Sequence, residues 1–254
     1  MSHTKLIWIT PGAEPLIAYI ARVSSENQSN PEYKKLIKYL IRNRHFSPFE
    51  MVNVCFEIKT SRAISAQIIR HRSFSFQEFS QRYANVIDVE PIEIRKQATS
   101  NRQSSKEVFD PILDIRNAEI CASELINQLI EDIQWTYDKL IKLGVAKECA
   151  RMIMPIASST TIYMNGTLRS WIHYLQLRTD EHTQKEHRLI AEDIELVLRL
   201  HFPTVWEALD ELKYEQQDKD YLYSLLGQAE VPIDDDTVIQ INKYLSEKRL
   251  DRAA

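Results

Sequence analysis

Arg70-His71-Arg72-Ser73-Phe74-Ser75-Phe76-Gln77-Glu78-Phe79-Ser80-Gln81-Arg82-Tyr83 gathers three arginines, one histidine and three serines into fourteen residues. A guanidinium offers a planar fork of donors that matches phosphate oxygens. Serine hydroxyls can complete such a site, and Phe and Tyr rings give faces for a flat ring to stack on. On composition alone a solvated basic turn at a helix end explains the segment equally well, because arginine there complements the helix dipole.

The flanks place this segment in a mixed fold. Upstream, Val52, Val54, Phe56 and Ile58 alternate with Asn53, Cys55, Glu57 and Lys59, which is strand periodicity. Thr60 or Ser61 would cap a helix running to about Arg70. Before that, Leu6 to Thr10 reads as a short strand ended by Pro11-Gly12. Glu14 to Ser24 and Glu32 to Arg44 read as helices, the second with Leu36, Ile37, Leu40 and Ile41 on one face. Downstream, Glu93 to Lys106 is polar without an apolar period, which predicts a mobile loop. Phe109 to Leu143 predicts a long helix broken at Gly144, and a short helix through Glu148 and Arg151 should end near Pro155. Ser158 to Tyr163 predicts a strand, and Thr167 to Leu177 and Gln184 to Leu200 predict helices. The sum is an α+β fold, with a central, mostly antiparallel sheet flanked by helices and long helices in the second half. Residues 1–211 are expected to form one domain, with 212–254 as a charged C-terminal appendage of no assigned role.

Composition narrows the function. A net charge of −4 over 254 residues gives no bulk positive field, so neither nucleic acid nor membrane is expected as a partner. Three scattered cysteines, Cys55, Cys121 and Cys149, form no CxxC pair. That argues against a disulfide framework and a thiolate zinc site, and it fits a reducing, cytoplasmic setting. Cys55 and Cys149 read as small buried residues. The N-terminal MSHTKLIWITPGAEP does not read as a secretory signal, and no stretch of ~20 apolar residues is present to span a membrane. Only four glycines occur, at 12, 144, 166 and 227. A GxGxxG turn or P-loop needs them clustered, so side chains must hold any nucleotide phosphate. Glu181-His182 and Glu186-His187 look like a metal cluster, but the histidines are five apart where a helical zinc pair wants i, i+4. They read as a polar helix start, and no metal is expected. Ser80 near His71 hints at an activated nucleophile, but no partner Asp is placed by the sequence.

The opening segment resembles the signature of the flavin-dependent thymidylate synthases, RHRxxSxNExSxRY, with Gln77 in place of Asn. Further segments match. His45-Phe46-Ser47-Pro48-Phe49-Glu50 resembles the family's H-x-[ST]-P-F-E loop, with Met51 where His is usual. Ala150-Arg151-Met152-Ile153-Met154-Pro155 is similar to its ARxxLP segment, with Met154 for Leu. Leu168-Arg169-Ser170-Trp171-Ile172-His173 through Leu177-Arg178 is similar to its terminal active-site helix. The resemblance runs roughly from Leu6 to Leu209.

The resemblance implies a homotetramer with FAD at subunit interfaces. It implies NADPH as reductant, methylenetetrahydrofolate as carbon donor, and conversion of dUMP to dTMP. It places Ser47, Arg70, His71, Arg72, Glu78, Thr167, Leu168, Arg169 and His173 on FAD. It places Gln67, Arg70, Glu78, Ser80, Arg82, Arg151 and Arg178 on dUMP, with Arg178 as the catalytic residue. The family often has Asn-Ala where Thr167-Leu168 stand. Helical spacing supports part of this: Leu168, Ile172 and Leu175 should pack inward, leaving Arg169, His173 and Gln176 as a polar face. Taken alone, His173 reads as a satisfied core histidine and Arg178 as a helix-terminal cation. A function of another class stays open, a non-catalytic nucleotide- or RNA-binding module built on the Arg-Phe-Ser loop. A bound flavin separates the two.

Overall fold

The alternating segment around Val54 becomes an inner strand of a four-stranded sheet. The structure, a computed structural model, describes residues 3–85, 88–99, 104–115 and 118–228. The sheet joins β1 (His3–Ile9), β2 (Asn53–Ser61), β3 (Phe74–Glu78) and β8 (Ser159–Thr167) in the order β1-β2-β8-β3, antiparallel throughout. β2 and β8 pair along their whole length, from Asn53↔Thr167 to Ser61↔Ser159. Val54, Phe56, Ile58, Ile162 and Met164 are fully buried, so one face of the inner pair is core. β1 is bulged between Leu6 and Trp8.

The chain divides into two units, Met1–Ala13 with Phe49–Leu198, and Glu14–Pro48 with Arg199–Ala254. In the first unit, α6 (Leu168–Arg178) follows β8 directly. Its Thr167 cap accepts the Ser170 N–H at 3.2 Å. Leu168 N donates to Val52 O at 2.8 Å, and Trp171 Nε1 donates to Val54 O at 3.1 Å, so the helix is fastened to β2. Leu168, Ile172 and Leu175 are buried while Arg169, His173 and Gln176 are exposed, as their spacing predicts. Ser61 caps α3 (Arg62–Ile68), accepting from Ile64 N at 3.4 Å.

Three stretches differ from the sequence reading. β3 lies inside the signature, where the sequence suggested only a basic loop. The expected mobile loop contains a hairpin of β4 (Arg95–Gln97) and β5 (Ser105–Val108), with residues 100–103 outside the described set. Arg95 fixes it, donating to Ser105 Oγ at 2.9 Å and Glu93 Oε1 at 2.8 Å. The expected helix from Phe109 begins as a second hairpin, β6 (Ile112–Ile115) with β7 (Ala118–Cys121), and becomes α4 only over Ala122–Lys142. Asp110 explains the late start, because its carboxylate takes the Ser123 backbone N–H at 2.9 Å and its hydroxyl, satisfying the first turn. Gly144 ends α4 at φ +84°, a conformation that favours glycine. α5 (Lys147–Ala150) and a 3-10 turn over Arg151–Ile153 lead back to β8. α7 (Lys185–His201) completes the helical set of this unit, with its last three residues in the other.

The second unit holds α1 (Ala13–Ala21) from Glu14 onward, α2 (Lys34–Arg42) and α8 (Pro203–Gln228). α2 packs on α8. Lys38 reaches Glu207 at 2.7 Å and Glu211 at 2.8 Å. Buried Glu14 accepts from Thr204 Oγ1 at 2.8 Å and Val205 N at 3.0 Å, so a carboxylate sits at the positive end of α8. α8 runs through Leu212 without a break, and residues 229–254 of the expected appendage lie outside the described residues.

Candidate active site

Phe74 locks the signature strand against α6. It pairs with Gly166 across β3 and β8. Its ring stands edge-on to Trp171 at 4.8 Å and to Tyr174 at 5.9 Å between centroids. The ring lies so close that a Cβ on Gly166 would sit 2.3 Å from Phe74 Cδ1. Phe74, Phe76 and Glu78 turn half inward while Ser75 and Gln77 face out. The turn before the strand leaves Arg70 and Arg72 exposed, and neither makes an ion pair with another described residue. Ser170 Oγ donates to Ser73 O at 3.3 Å, a second tie between α6 and the signature.

At the other end of α6, Arg178 Nε donates to His71 Nε2 at 2.9 Å. The acceptor nitrogen carries no proton, so His71 is neutral with its proton on Nδ1. Burial first, then the Arg178 charge and His173, hold its pKa down from 6.5 to about 4. The guanidinium thereby keeps its NH2 groups for other work while its Nε is anchored.

His71 also meets the ring of Tyr174 at 4.9 Å, and behind it lies His187. His187 is fully buried, not part of a polar helix start as its flanking residues suggest. Its Nε2 is 3.0 Å from the Tyr174 hydroxyl and its Nδ1 is 3.3 Å from Gln67 Oε1. Burial, with Arg178 and His71 nearby, lowers its pKa to about 3, and burial pushes the Tyr174 hydroxyl up. Sequence reasoning missed this residue. The signal was there, since His187, Ile190, Ala191, Ile194 and Leu198 form the buried stripe of α7.

The other expected site residues fall into smaller groups. Glu78 accepts from Ser65 Oγ at 2.7 Å and Thr160 Oγ1 at 3.1 Å, and pairs with Arg62 at 3.2 Å. Ser80 and Arg82 line a cavity of about 490 Å³ with Tyr83, Ala146, Lys147 and Glu148. Arg82 reaches Glu148 at 2.9 Å in an exposed pair that contributes little stability. Among the described residues two buried donors have no hydrogen-bond partner, Arg151 Nε and Gln81 Nε2. Such donors cost free energy unless an acceptor meets them. Arg169 pairs with Glu50, and Thr167 spends its hydroxyl on the cap of α6. Leu168 is buried, so only its backbone can face a ligand. His173 is exposed, which sets aside the core-histidine reading. Ser47 opens a 3-10 turn and belongs to the second unit. The structure therefore brings together Gln67, His71 and Arg178, and separately Ser80 and Arg82. Cys55 is buried as expected, but Cys149 is exposed, and within the four-residue α5 it is Ala150 that is buried.

Among the described residues no cluster of three His, Cys, Asp or Glu could hold a metal ion. No described helix is long and apolar enough to cross a membrane.

Comparison with known proteins adds an independent line. Residues 5–204 match the family model described as thymidylate synthase complementing protein. The chain is 49% identical over 199 residues to a flavin-dependent thymidylate synthase of Synechocystis sp., covering 78% of this chain and 89% of that one. It is 47% identical over 201 residues to a probable flavin-dependent thymidylate synthase of Paramecium bursaria Chlorella virus 1, covering 78% and 91%. The fold is similar to that of a UMP/dUMP methylase, PolB from Streptomyces cacaoi, solved with 5-Br dUMP. The TM-score is 0.66 at 24% identity, over 83% of this chain and 95% of the other.

Proposed function

The chain belongs to the flavin-dependent thymidylate synthases, and from that premise we propose that it makes dTMP from dUMP with Arg178 activating the uracil ring. The observation that carries the reading is the anchored guanidinium of Arg178 beside a neutral His71, at the meeting of α6 and the signature segment.

Uracil must become nucleophilic at C5 before it takes a methyl group. A guanidinium fixed beside the N3–C4–O4 edge stabilises the negative charge that develops there, and it stays protonated at any working pH. Gln67, Arg70, Glu78, Ser80, Arg82 and Arg151 join Arg178 in holding dUMP. The unmet donor of Arg151 suits a phosphate oxygen.

The residues also fit a flavin dinucleotide. With no glycine-rich loop, its pyrophosphate needs cations, and Arg70 and Arg72 are exposed and unpaired among the described residues. Ser47, His71, Glu78, the Thr167-Leu168-Arg169 stretch and His173 complete this set. When bound, FAD supplies the hydride, drawn from NADPH, that completes a methyl group whose carbon comes from methylenetetrahydrofolate. The same reading makes the protein a cytoplasmic homotetramer whose partners are small molecules. It takes residues 1–211 as the catalytic domain and 212–254 as an appendage.

The test is to purify the chain, record its visible spectrum, titrate FAD by calorimetry and assay dTMP formation. A yellow protein that binds FAD and forms dTMP only with dUMP, methylenetetrahydrofolate and NADPH supports the reading. A colourless protein that binds no FAD overturns it and leaves the nucleotide- or RNA-binding module.

A further inference from the structure

Behind the candidate nucleotide site, four uncharged side chains run in one line to an ion pair. Tyr174, His187, Gln67 and Gln184 each touch the next, and Gln184 touches Glu186. Imidazole and carboxamide groups can each face either way, so the line has two self-consistent directions. Its last member selects between them.

Glu186 pairs with Arg95 at 2.6 Å and is held ionised, so it only accepts hydrogen bonds. Gln184 must therefore turn its NH2 toward Glu186, and that contact is 2.9 Å. Its carbonyl then faces Gln67, which must answer with its own NH2 across 2.7 Å. Gln67 is left with its carbonyl toward His187, 3.3 Å from Nδ1. His187 must donate from Nδ1, and its Nε2 must accept from the Tyr174 hydroxyl at 3.0 Å. Each orientation follows from the one before.

We propose that Glu186, acting through Gln184, sets the polarity of the Gln67 amide, which His187 holds from its other side, so that Gln67 offers an N–H to an acceptor oxygen of the nucleotide. Gln67 Nε2 carries two hydrogens, and Gln184 uses one. The second remains for the ligand. Reversed, the same amide would present a carbonyl to that oxygen and repel it. His187 and Glu186 are positioning residues, since they act through Gln67. This inference rests on the reading of Gln67 as a dUMP contact. Arg95 carries it one step further, because it joins the β4–β5 hairpin to the same line.

The experiment has two arms on the full-length, FAD-loaded protein. The first records ring 15N shifts of His187 with and without the Glu186→Gln substitution. A wild-type ring protonated at Nδ1, with a shift toward the Nε2–H form in Glu186→Gln, supports the proposal. A wild-type ring protonated at Nε2, or a tautomer indifferent to Glu186→Gln, overturns it. The second arm compares His187→Asn, which keeps a donor near Nδ1, with His187→Leu, which has none. We expect KM for dUMP to rise about tenfold in His187→Leu, the scale of one lost hydrogen bond. It should stay within about threefold of wild type in His187→Asn, with kcat little changed in both. Equal losses in the two variants, or losses confined to kcat, overturn the positioning role. The tautomer arm needs no buried substitution and no turnover, so it decides even if the His187 variants fail to fold. If the wild-type protein fails to bind dUMP, the proposed function fails, while the tautomer result still judges the direction of the line.

Discussion

Arg178 Nε and His71 Nε2 share a hydrogen bond of 2.9 Å across 107 positions of sequence. One residue ends α6 and the other stands second in the signature. The bond requires His71 to stay neutral, because protonation would replace its acceptor with a second cation beside the guanidinium.

That requirement gives a pH prediction. His71 and His187 have pKa values lowered in the folded protein from 6.5 to about 4 and about 3. A lowered histidine pKa means the unfolded chain binds the proton first. The stability these residues contribute is therefore complete above about pH 6.5, and falls as pH drops through the window toward 4. Thermal midpoints between pH 8 and 5 stay above most of the carboxylate range, so they isolate the histidines. The midpoint should fall below pH 6.5, and the slope should shrink in a His71→Asn, His187→Asn double variant. A flat wild-type profile contradicts the neutral histidine pair.

Gly166→Ala should destabilise the protein by about 1–3 kcal/mol, the usual cost of overpacking. The added methyl would meet Phe74 Cδ1 and Cε1 at 2.3 and 2.5 Å, and the ring is boxed in by Trp171 and Tyr174. Phe74→Leu in the same chain should recover part of the loss. Chemical denaturation of the three variants measures this, and a neutral Gly166→Ala would mean that the ring moves freely.

The sequence made some parts of this fold plain and hid others for physical reasons. β2 and α6 were legible because each buries one face deeply, so Val54, Phe56 and Ile58, or Leu168, Ile172 and Leu175, repeat with the right period. The β6–β7 hairpin was not, because its apolar residues stay exposed or half-exposed and carry no burial pattern, and Ile112 to Ile120 then reads as the start of a helix. β3 was hidden by polar Ser75 and Gln77 within a segment read for its charges. The motif segments named the candidate residues, yet Arg178 touching His71 and Gln67 touching His187 are long-range contacts that no local spacing encodes. His187 was read with His182 as part of a polar helix start, although its period placed it with Ile190 and Ile194.

No cysteine should be the nucleophile. Cys55 is buried in β2, where burial raises its thiol pKa and disfavours the thiolate, and Cys121 and Cys149 are exposed outside the signature and α6. A chain carrying Cys55→Ala, Cys121→Ser and Cys149→Ser should form dTMP within about tenfold of the wild-type rate, allowing for lost packing. Lost turnover in a folded, flavin-loaded triple variant would show that a thiolate takes part.

The central claim is that Arg178 activates uracil rather than merely binding it. Single-turnover kinetics of the two half-reactions in Arg178→Ala tests this most directly, with dUMP saturating. Methyl transfer should slow by roughly 10²–10³, the scale of losing one preorganised electrostatic donor. Flavin reduction by NADPH should proceed, since it needs no activated uracil. Arg178→Lys should rescue poorly, because it keeps the charge and loses the planar fork anchored on His71. If Arg178→Ala forms dTMP at the wild-type rate under these conditions, the residue only holds the substrate and the account of activation is wrong.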